Sequence, residues 1–342
     1  MDDFLQEKYS RQILFEGIGL GGQERLLGAS TVVAGCGAIG AAAANLLVRA
    51  GVGRVRIVDR DFVEPSNLQR QTLFDESDAR EALPKAVAAE RKLRAINSSV
   101  SIEGLAADIN PRNVGELLNN FDVILDGTDN FETRFLINDF AVKCGKPWIY
   151  GAAVASYGLT MTVQPGKSAC LACLLEGTEA VSGMEDTCDT VGVVGPIVNL
   201  VASLQVAEAM KLLSGNHEAL NGRLITSDVW TGHFQSVGVD RNPDCRCCGR
   251  QDFSYLEGQA QPRITMCGRD SVQIHEHNRA LDLGALQQRL SRTATDIRQN
   301  DFLLRFRVAP FEMTVFGDGR AIVKGTTDAA VARSLYARYI GA

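Results

Sequence analysis

The chain has 342 residues, 45% of them hydrophobic and 22% charged, with a formal net charge of −6. That is an ordinary composition for a soluble chain large enough for one big α/β domain and a smaller unit, and the acidic balance speaks against a nucleic-acid binder. The N-terminus MDDFLQEKYSRQ lacks the apolar core of a signal peptide, and no uninterrupted apolar run reaches the ~18 residues of a membrane span, so a cytoplasmic protein that does not engage a membrane is expected.

Residues 1–30 pattern as helical segments anchored by Phe4, Leu5, Ile13, Leu14, Leu26 and Leu27, with Arg11 in the leading one and a glycine-rich turn over 17–22. An apolar, β-branched run over 31–34 then enters Gly35-Cys36-Gly37-Ala38-Ile39-Gly40, a G-x-G-x-x-G loop. An alanine-rich helix and a second strand, 54–59, follow, and the strand ends on Asp59. Gly40 and Asp59 are 19 residues apart, close to the ~20 between a dinucleotide fingerprint and its ribose-binding acid. The glycines permit a tight turn and bring backbone N–H groups near phosphate at a helix N-terminus. A nucleotide site is therefore predicted, without its identity.

Beyond Asp59 and Asp61 lies Ser66-Asn67-Leu68-Gln69-Arg70-Gln71. Its amides, hydroxyl and guanidinium suit ribose and phosphate; the plainer alternative is a surface turn. Lys85 opens a helix over 85–96 after Pro84. A cation there opposes the helix dipole, which points to another task, although a solvated lysine is the simpler reading. Residues 100–105 read as strand, 112–120 as helix, and 121–126 as a buried parallel-type strand running into Gly127-Thr128-Asp129-Asn130. Ligands in open α/β sheets lie beyond the carboxyl ends of strands. Asp126 and Asp129 are thus expected on the edge shared by Gly37 and Asp59, where a carboxylate can hold magnesium. A helix over 133–144 and a strand over 148–150 come next. Strands over 159–163, 223–228 and 234–239 then flank a helix over 196–213, so the second half is a mixed sheet and not a second βαβ repeat.

The nine cysteines form no disulfide framework, being odd in number in a chain without a secretion signal. Cys170-x-x-Cys173 and Cys245-x-x-Cys248, in expected loops, supply the four thiolates that zinc prefers. The wide separation makes this a structural staple; a redox pair or unbonded core cysteines are the alternatives, and Cys247 is a spare thiol. Cys188 sits in a polar loop between acids that raise its pKa, so by itself it reads as inert. The polar, aperiodic stretch 253–261 reads as a linker. Residues 263–342 read as α+β: helix 281–290, strands 302–307 and 311–316, a turn at Asp318-Gly319, strand 320–324 and helix 327–340. The expected division is a domain over 1–252, a linker over 253–262 and a small domain over 263–342.

Together, Tyr9-Ser10-Arg11-Gln12, the 35–40 loop, Asp59 with Asp61, the 66–71 cluster, Lys85, Asp126-Gly127-Thr128-Asp129-Asn130, both C-x-x-C pairs and the stretch from Gly195-Pro196 to Gly215 resemble the ThiF/MoeB/HesA adenylyltransferases, relatives of the ubiquitin-activating enzymes, over roughly residues 5–250. Ala38 replaces a frequent family glycine, which is tolerable if only its N–H is used. The tail from 263 is outside the family core and lacks the cysteine-bearing loop of the rhodanese domain that some relatives carry. The resemblance implies a Rossmann-like α/β fold with a mixed sheet, plus the small C-terminal α+β unit. It implies ATP-dependent adenylation of the C-terminal Gly-Gly carboxylate of a ubiquitin-like sulfur carrier, ThiS- or MoaD-like, with release of pyrophosphate, in thiamine or molybdenum-cofactor biosynthesis.

The residue roles come from the same resemblance. Asp59 binds the ribose, N–H groups at Gly37 and Ala38 face phosphate, and Asn67, Arg70 and Lys85 hold the triphosphate. Asp129 holds magnesium, and Arg11 acts from the other subunit of a homodimer. Cys188 matches a cysteine that some members use in sulfur handling. Gly35, Gly40, Asp61, Ser66, Gln69, Gln71 and Asn130 complete the implied nucleotide site. Two other readings compete: an NAD-dependent oxidoreductase, which the fingerprint alone would favour, and a non-catalytic, zinc-stapled adaptor for a ubiquitin-like protein. Arg11, Arg70, Lys85 and Asp129 favour triphosphate chemistry over both.

Overall fold

A computed structural model describes residues 1–175, 191–259, 264–266 (backbone), 271–274 and 280–341. It divides into two units, Met1–Ala260 and Gln261–Ala342.

The first unit is built on eight strands: β1 (Ser30–Ala34), β2 (Arg54–Asp59), β3 (Ser101–Ala106), β4 (Val123–Asp126), β5 (Trp148–Val154), β6 (Tyr157–Val163), β7 (Leu224–Asp228) and β8 (His233–Val237). Their spatial order is β3-β2-β1-β4-β5-β6-β7-β8. The pairs from β3 to β5 are parallel and those from β5 to β8 antiparallel. This is the expected Rossmann-like start with a mixed second half. The chain reverses its direction of travel across the sheet between β1 and β4, which opens a crevice at their carboxyl ends. Ala34 pairs with both Val58 and Asp126, so the ends of β1, β2 and β4 stand level there.

Alternation along each strand divides the core between the two sheet faces. Val33, Ile57, Leu125 and Ile149 pack with the helices Ala38–Ala50, Lys85–Ile96 and Gly195–Ser214. Val32, Ala34, Ile124, Trp148 and Tyr150 pack on the other face with the helix Phe131–Cys144 and both cysteine pairs. Helix ends follow local chemistry. Pro196 starts the helix Gly195–Ser214, and glycines in the left-handed region at 51, 145 and 215 end three helices. By length and composition Gly195–Ser214 would pass for a membrane span. In the fold its buried polar residues are engaged: Gln205 donates to the carbonyls of Asp126 and Ile149, and Glu208 accepts from Thr162 and Lys211.

Two local expectations change. Cys170-Leu171-Ala172-Cys173 leads into a short helix, Leu171–Leu175, and is not simply loop. The stretch read as a linker is packed into the first unit: Phe253, Tyr255 and Leu256 join the core face that holds the cysteines, and the Tyr255 ring stacks on Phe135 with centroids 5.0 Å apart.

The second unit carries an antiparallel sheet of six strands in the order β11-β12-β13-β14-β10-β9. They are β9 (Ile264–Met266), β10 (Ser271–Ile274), β11 (Thr295–Gln299), β12 (Leu303–Val308), β13 (Phe311–Phe316) and β14 (Ala321–Lys324). The helices Leu283–Leu290 and Ala329–Tyr339 supply Leu286, Leu290 and Tyr336 to its core. The patterns behind β12, β13, β14 and both helices were legible. β9, β10 and β11 were not: β11 is mostly exposed, and β10 is buried at all four positions although two of them are polar.

At the crevice three glycines interlock. Gly35 has φ +89°, and a Cβ there would lie 2.6 Å from the Gly127 carbonyl oxygen. A Cβ on Gly40 would lie 1.9 Å from the Gly35 carbonyl oxygen, and one on Gly127 would lie 2.6 Å from it. Gly37 is different, since its nearest neighbour would be 3.8 Å away. Gly40→Ala should therefore destabilise the protein by about 1–3 kcal/mol through overpacking, with Gly37→Ala costing clearly less. Chemical denaturation of the two variants measures the contrast, and equal losses would contradict this packing.

Candidate nucleotide site

The β1 strand delivers the 35–40 loop, and Gly37 is the N-terminal cap of the helix Ala38–Ala50. The loop is held from β2: the buried Asp59 carboxylate accepts the Cys36 N–H on one oxygen and the Asp61 N–H, at 2.7 Å, on the other. Burial pushes the Asp59 carboxyl up to about 6, against the pull of Lys85 in the opposite direction. Asp59 thus does two tasks at once, fixing the loop and presenting a carboxylate at the sheet edge.

Lys85 is almost fully buried, and its ammonium lies 3.1 Å from Asp61 Oδ2. Its backbone N–H also donates to the Asp61 carbonyl, at 2.9 Å. Burial alone would lower its pKa, but the carboxylates of Asp61, Asp59 and Asp129 outweigh that and hold the ammonium firmly charged. The sequence-level oddity, a cation opening a helix, has this explanation: the lysine faces three acids, one at the end of β2, one just after it and one after β4. Asp129 is exposed, and its Oδ1 is 3.4 Å from Asn130 Nδ2.

Several residues singled out in the sequence have structural tasks here. Asn130 Oδ1 caps the helix Phe131–Cys144 by accepting the Thr133 N–H. Asn67 is buried and accepts the Glu64 N–H. Gln71 is buried with no hydrogen-bond partner for its Oε1 among the described residues. Arg70 is half-buried and donates to the Ser66 carbonyl, while Ser66 and Gln69 are exposed. The Gln69 carbonyl would stand 3.3 Å from a Cβ on Gly195, so the 66–71 segment packs on the start of the helix Gly195–Ser214. Arg11 is exposed on the short helix Ser10–Ile13, with no contact to Asp59, Asp61, Lys85 or Asp129 among the described residues. Cys188 lies outside the described residues.

Asp126 lies on the expected edge, at the end of β4, but its carboxylate is engaged by the fold. It is fully buried, with Arg134 Nε 3.1 Å from its Oδ2 and the Thr128 amide and hydroxyl donating to its Oδ1 at 2.9 and 2.7 Å. With its oxygens so engaged it holds the loop, and of the two acids only Asp129 remains open to a cation. Arg134, eight positions further on, carried no sequence signal beyond its charge.

The second grouping is the thiols. The Sγ atoms of Cys170, Cys173, Cys245 and Cys248 all lie within 4.8 Å of one another. Separations are 3.9 Å for Cys170–Cys173, 3.7 Å for Cys170–Cys245 and 3.3 Å for Cys173–Cys248. A zinc–sulfur bond of about 2.3 Å in tetrahedral geometry needs sulfurs about 3.8 Å apart, so this donor set fits zinc. The helix Phe131–Cys144 braces both knuckles. Asn138 accepts the Leu171 N–H at 2.9 Å and donates to Cys247 Sγ at 3.2 Å, while Asp139 takes Arg246 on both oxygens. Cys247, the spare thiol, is thus a buried partner of Asn138.

Comparison with known proteins accords with this geometry. The model of the ThiF family matches residues 9–247. The sulfur carrier protein ThiS adenylyltransferase of Bacillus subtilis (strain 168) is 45% identical over 338 residues, which are 98% of this chain and 99% of its own length. The SAMP-activating enzyme E1 of Haloferax volcanii is 38% identical over 260 residues, 74% of this chain and 95% of its own. Among solved structures, that of E. coli MccB with ATP has a TM-score of 0.62 at 26% identity, covering 71% of this chain and 74% of that one.

The Asp59 environment sets a pH dependence. Its carboxyl is raised from 3.8 to about 6, so the folded state binds more protons than the unfolded one between those values, and this group lowers stability as pH rises through the window. Asp59→Asn removes the penalty. The stability of the variant relative to wild type should therefore be greater at pH 8 than at pH 4, with the change falling between about pH 4 and 6. Urea denaturation across pH measures it; a difference that does not vary with pH would refute the assignment.

Proposed function

The chain belongs to the ThiF family, and on that premise we propose that it is a nucleotidyltransferase that adenylates the C-terminal carboxylate of a ubiquitin-like sulfur carrier for thiamine or molybdenum-cofactor biosynthesis. The observation that carries this reading is the meeting of the glycine loop, Asp59, Lys85 and Asp129 at the carboxyl ends of β1, β2 and β4. The B. subtilis relative matches across both units, including the tail that family motifs alone left unexplained.

In the reaction a carrier carboxylate oxygen attacks the α-phosphorus of ATP. A P–O bond forms there, the bond to the bridging oxygen breaks, and pyrophosphate leaves with that electron pair. Two anions must meet, so the protein's work is to position them and neutralise charge. Asp59 would take the ribose hydroxyls. The free N–H groups at the start of the helix Ala38–Ala50 would face phosphate. Lys85 and Arg70 would turn from Asp61 and the Ser66 carbonyl to the triphosphate oxygens. Asp129 would hold magnesium, which supplies further charge neutralisation when bound. There is no lysine within the 35–40 loop, so this charge must come from elsewhere, and Arg11 of a second subunit would add to it in a homodimer. Zinc would be structural, held by Cys170, Cys173, Cys245 and Cys248. The reduced thiols that it requires support a cytoplasmic protein.

ATP–pyrophosphate exchange tests this reading. Exchange should require magnesium and a Gly-Gly-ending carrier, and Asp129→Ala should abolish it. Mixing Asp129→Ala with Arg11→Ala subunits should restore activity if Arg11 acts across the dimer, and no rescue would sink that role. Metal analysis should find about one zinc per chain, and its removal should unfold the cysteine-bearing face. Four freely titrating thiols in the native protein would refute the staple.

A further inference from the structure

Neither the sequence motifs nor the reaction just described uses Arg134, yet it is buried and its guanidinium meets an acid and two carbonyls. Its Nε pairs with Asp126 at 3.1 Å. Its Nη2 donates to the carbonyls of Thr128 and Gly151, at 2.6 and 3.2 Å. Asp126 in turn accepts the amide and hydroxyl of Thr128. One ion pair therefore holds the N–H side of Thr128 through the acid and its C=O side through the guanidinium. The next atom in the chain is the amide nitrogen of Asp129, whose own side chain is exposed, with Asn130 Nδ2 3.4 Å from its Oδ1.

We propose that Arg134 is a positioning residue that, with Asp126, clamps the Thr128 peptide from both ends and so sets where the Asp129 carboxylate stands to receive a metal-bound triphosphate. What Asp129 receives rests on the adenylation reading above; the clamp itself does not. A planar fork is required, because Nε and Nη2 serve an acid and two carbonyls together. A lysine supplies one point charge and cannot span these groups. The pair is enclosed by Phe131 and Tyr150, whose ring centroids lie 5.3 and 5.5 Å from the guanidinium carbon.

The test uses the full chain with Arg134→Lys and, as a milder variant, Thr128→Val, which removes only the hydroxyl bond to Asp126. The first measurement is amide hydrogen exchange of the peptide covering 127–130. It should be about 10-fold faster in Arg134→Lys, the factor for losing about 1.4 kcal/mol of local restraint, while β1 and β2 keep wild-type rates. The second is binding of a non-hydrolysable ATP analogue by calorimetry, with magnesium and with EDTA. Affinity in magnesium should fall about 10- to 100-fold, as for loss of a group that orients a metal ligand, and affinity in EDTA should stay within about twofold of wild type. Thr128→Val should shift both measurements in the same direction by less. Unchanged exchange over 127–130 in both variants overturns the clamp. Equal losses of affinity with and without magnesium overturn the link to Asp129 and leave Arg134 a purely structural residue. A wild-type chain that binds no nucleotide overturns the reading of function, and the exchange result then decides the clamp alone.

Discussion

Burying an ion pair costs about several kcal/mol of desolvation per ion, and the cost is recovered only where good geometry and further hydrogen bonds satisfy both groups. Asp126 and Arg134 meet that condition, with Thr128, Gly151 and the Thr128 carbonyl as additional partners. The pair sits where β4, β5 and the helix Phe131–Cys144 converge, and Gln205 of the helix Gly195–Ser214 binds the Asp126 and Ile149 carbonyls beside it. An apolar pair of similar size could hold these elements together. It could not orient a loop, since dispersion has no direction. The ion pair converts packing into a defined backbone path at the carboxyl ends of the strands, where ligands of open α/β sheets bind.

The same edge is acidic. Asp59, Asp61 and Asp129 all act on Lys85, and its ammonium is paired with Asp61. A triphosphate brings more negative charge to this place, so its binding depends on cations being redistributed. On the adenylation reading, Lys85 would share or exchange its partner there, and the exposed Asp129 would be the acid placed to hold a divalent ion. The glycine interlock adds a steric condition. Gly35, Gly40 and Gly127 bring the loop after β1 against the loop after β4, so both halves of the site are built on one rigid seam.

On the opposite sheet face, the cysteine pairs join segments 72 residues apart in sequence. Asn138 and Asp139 are adjacent on one helix; Asn138 reaches both knuckles and Asp139 the second. Four thiols and two polar brackets are gathered on this face by the helix Phe131–Cys144, whose first turn is capped by Asn130 beside Asp129. Tyr255, stacked on Phe135 with its N–H bonded to Asp139, extends the brace to residues first read as linker.

Short-range spacing along the chain is enough to specify several features. The βαβ unit, the glycine loop, the acid at the end of β2, the paired cysteines and the amphipathic helices of the second unit each follow from periodicity or from residues within one supersecondary motif. Their physics is local, so their pattern is written locally. Tertiary structure alone decided which polar groups are consumed by the fold. Asp126 and Asp129 look alike in sequence, yet one is neutralised by a buried arginine eight positions on and the other is exposed. Asn130 and Asn67 resemble ligand-binding amides, and each has its Oδ1 engaged at the start of a helical turn. Arg134, Gln205 and Asn138 had no signal, because each acts on a backbone or thiol partner brought near only by folding. Whether a polar residue is a tool or a brace depends on its desolvation and on the groups that meet it across the chain. Neither quantity is a property of its neighbours in sequence.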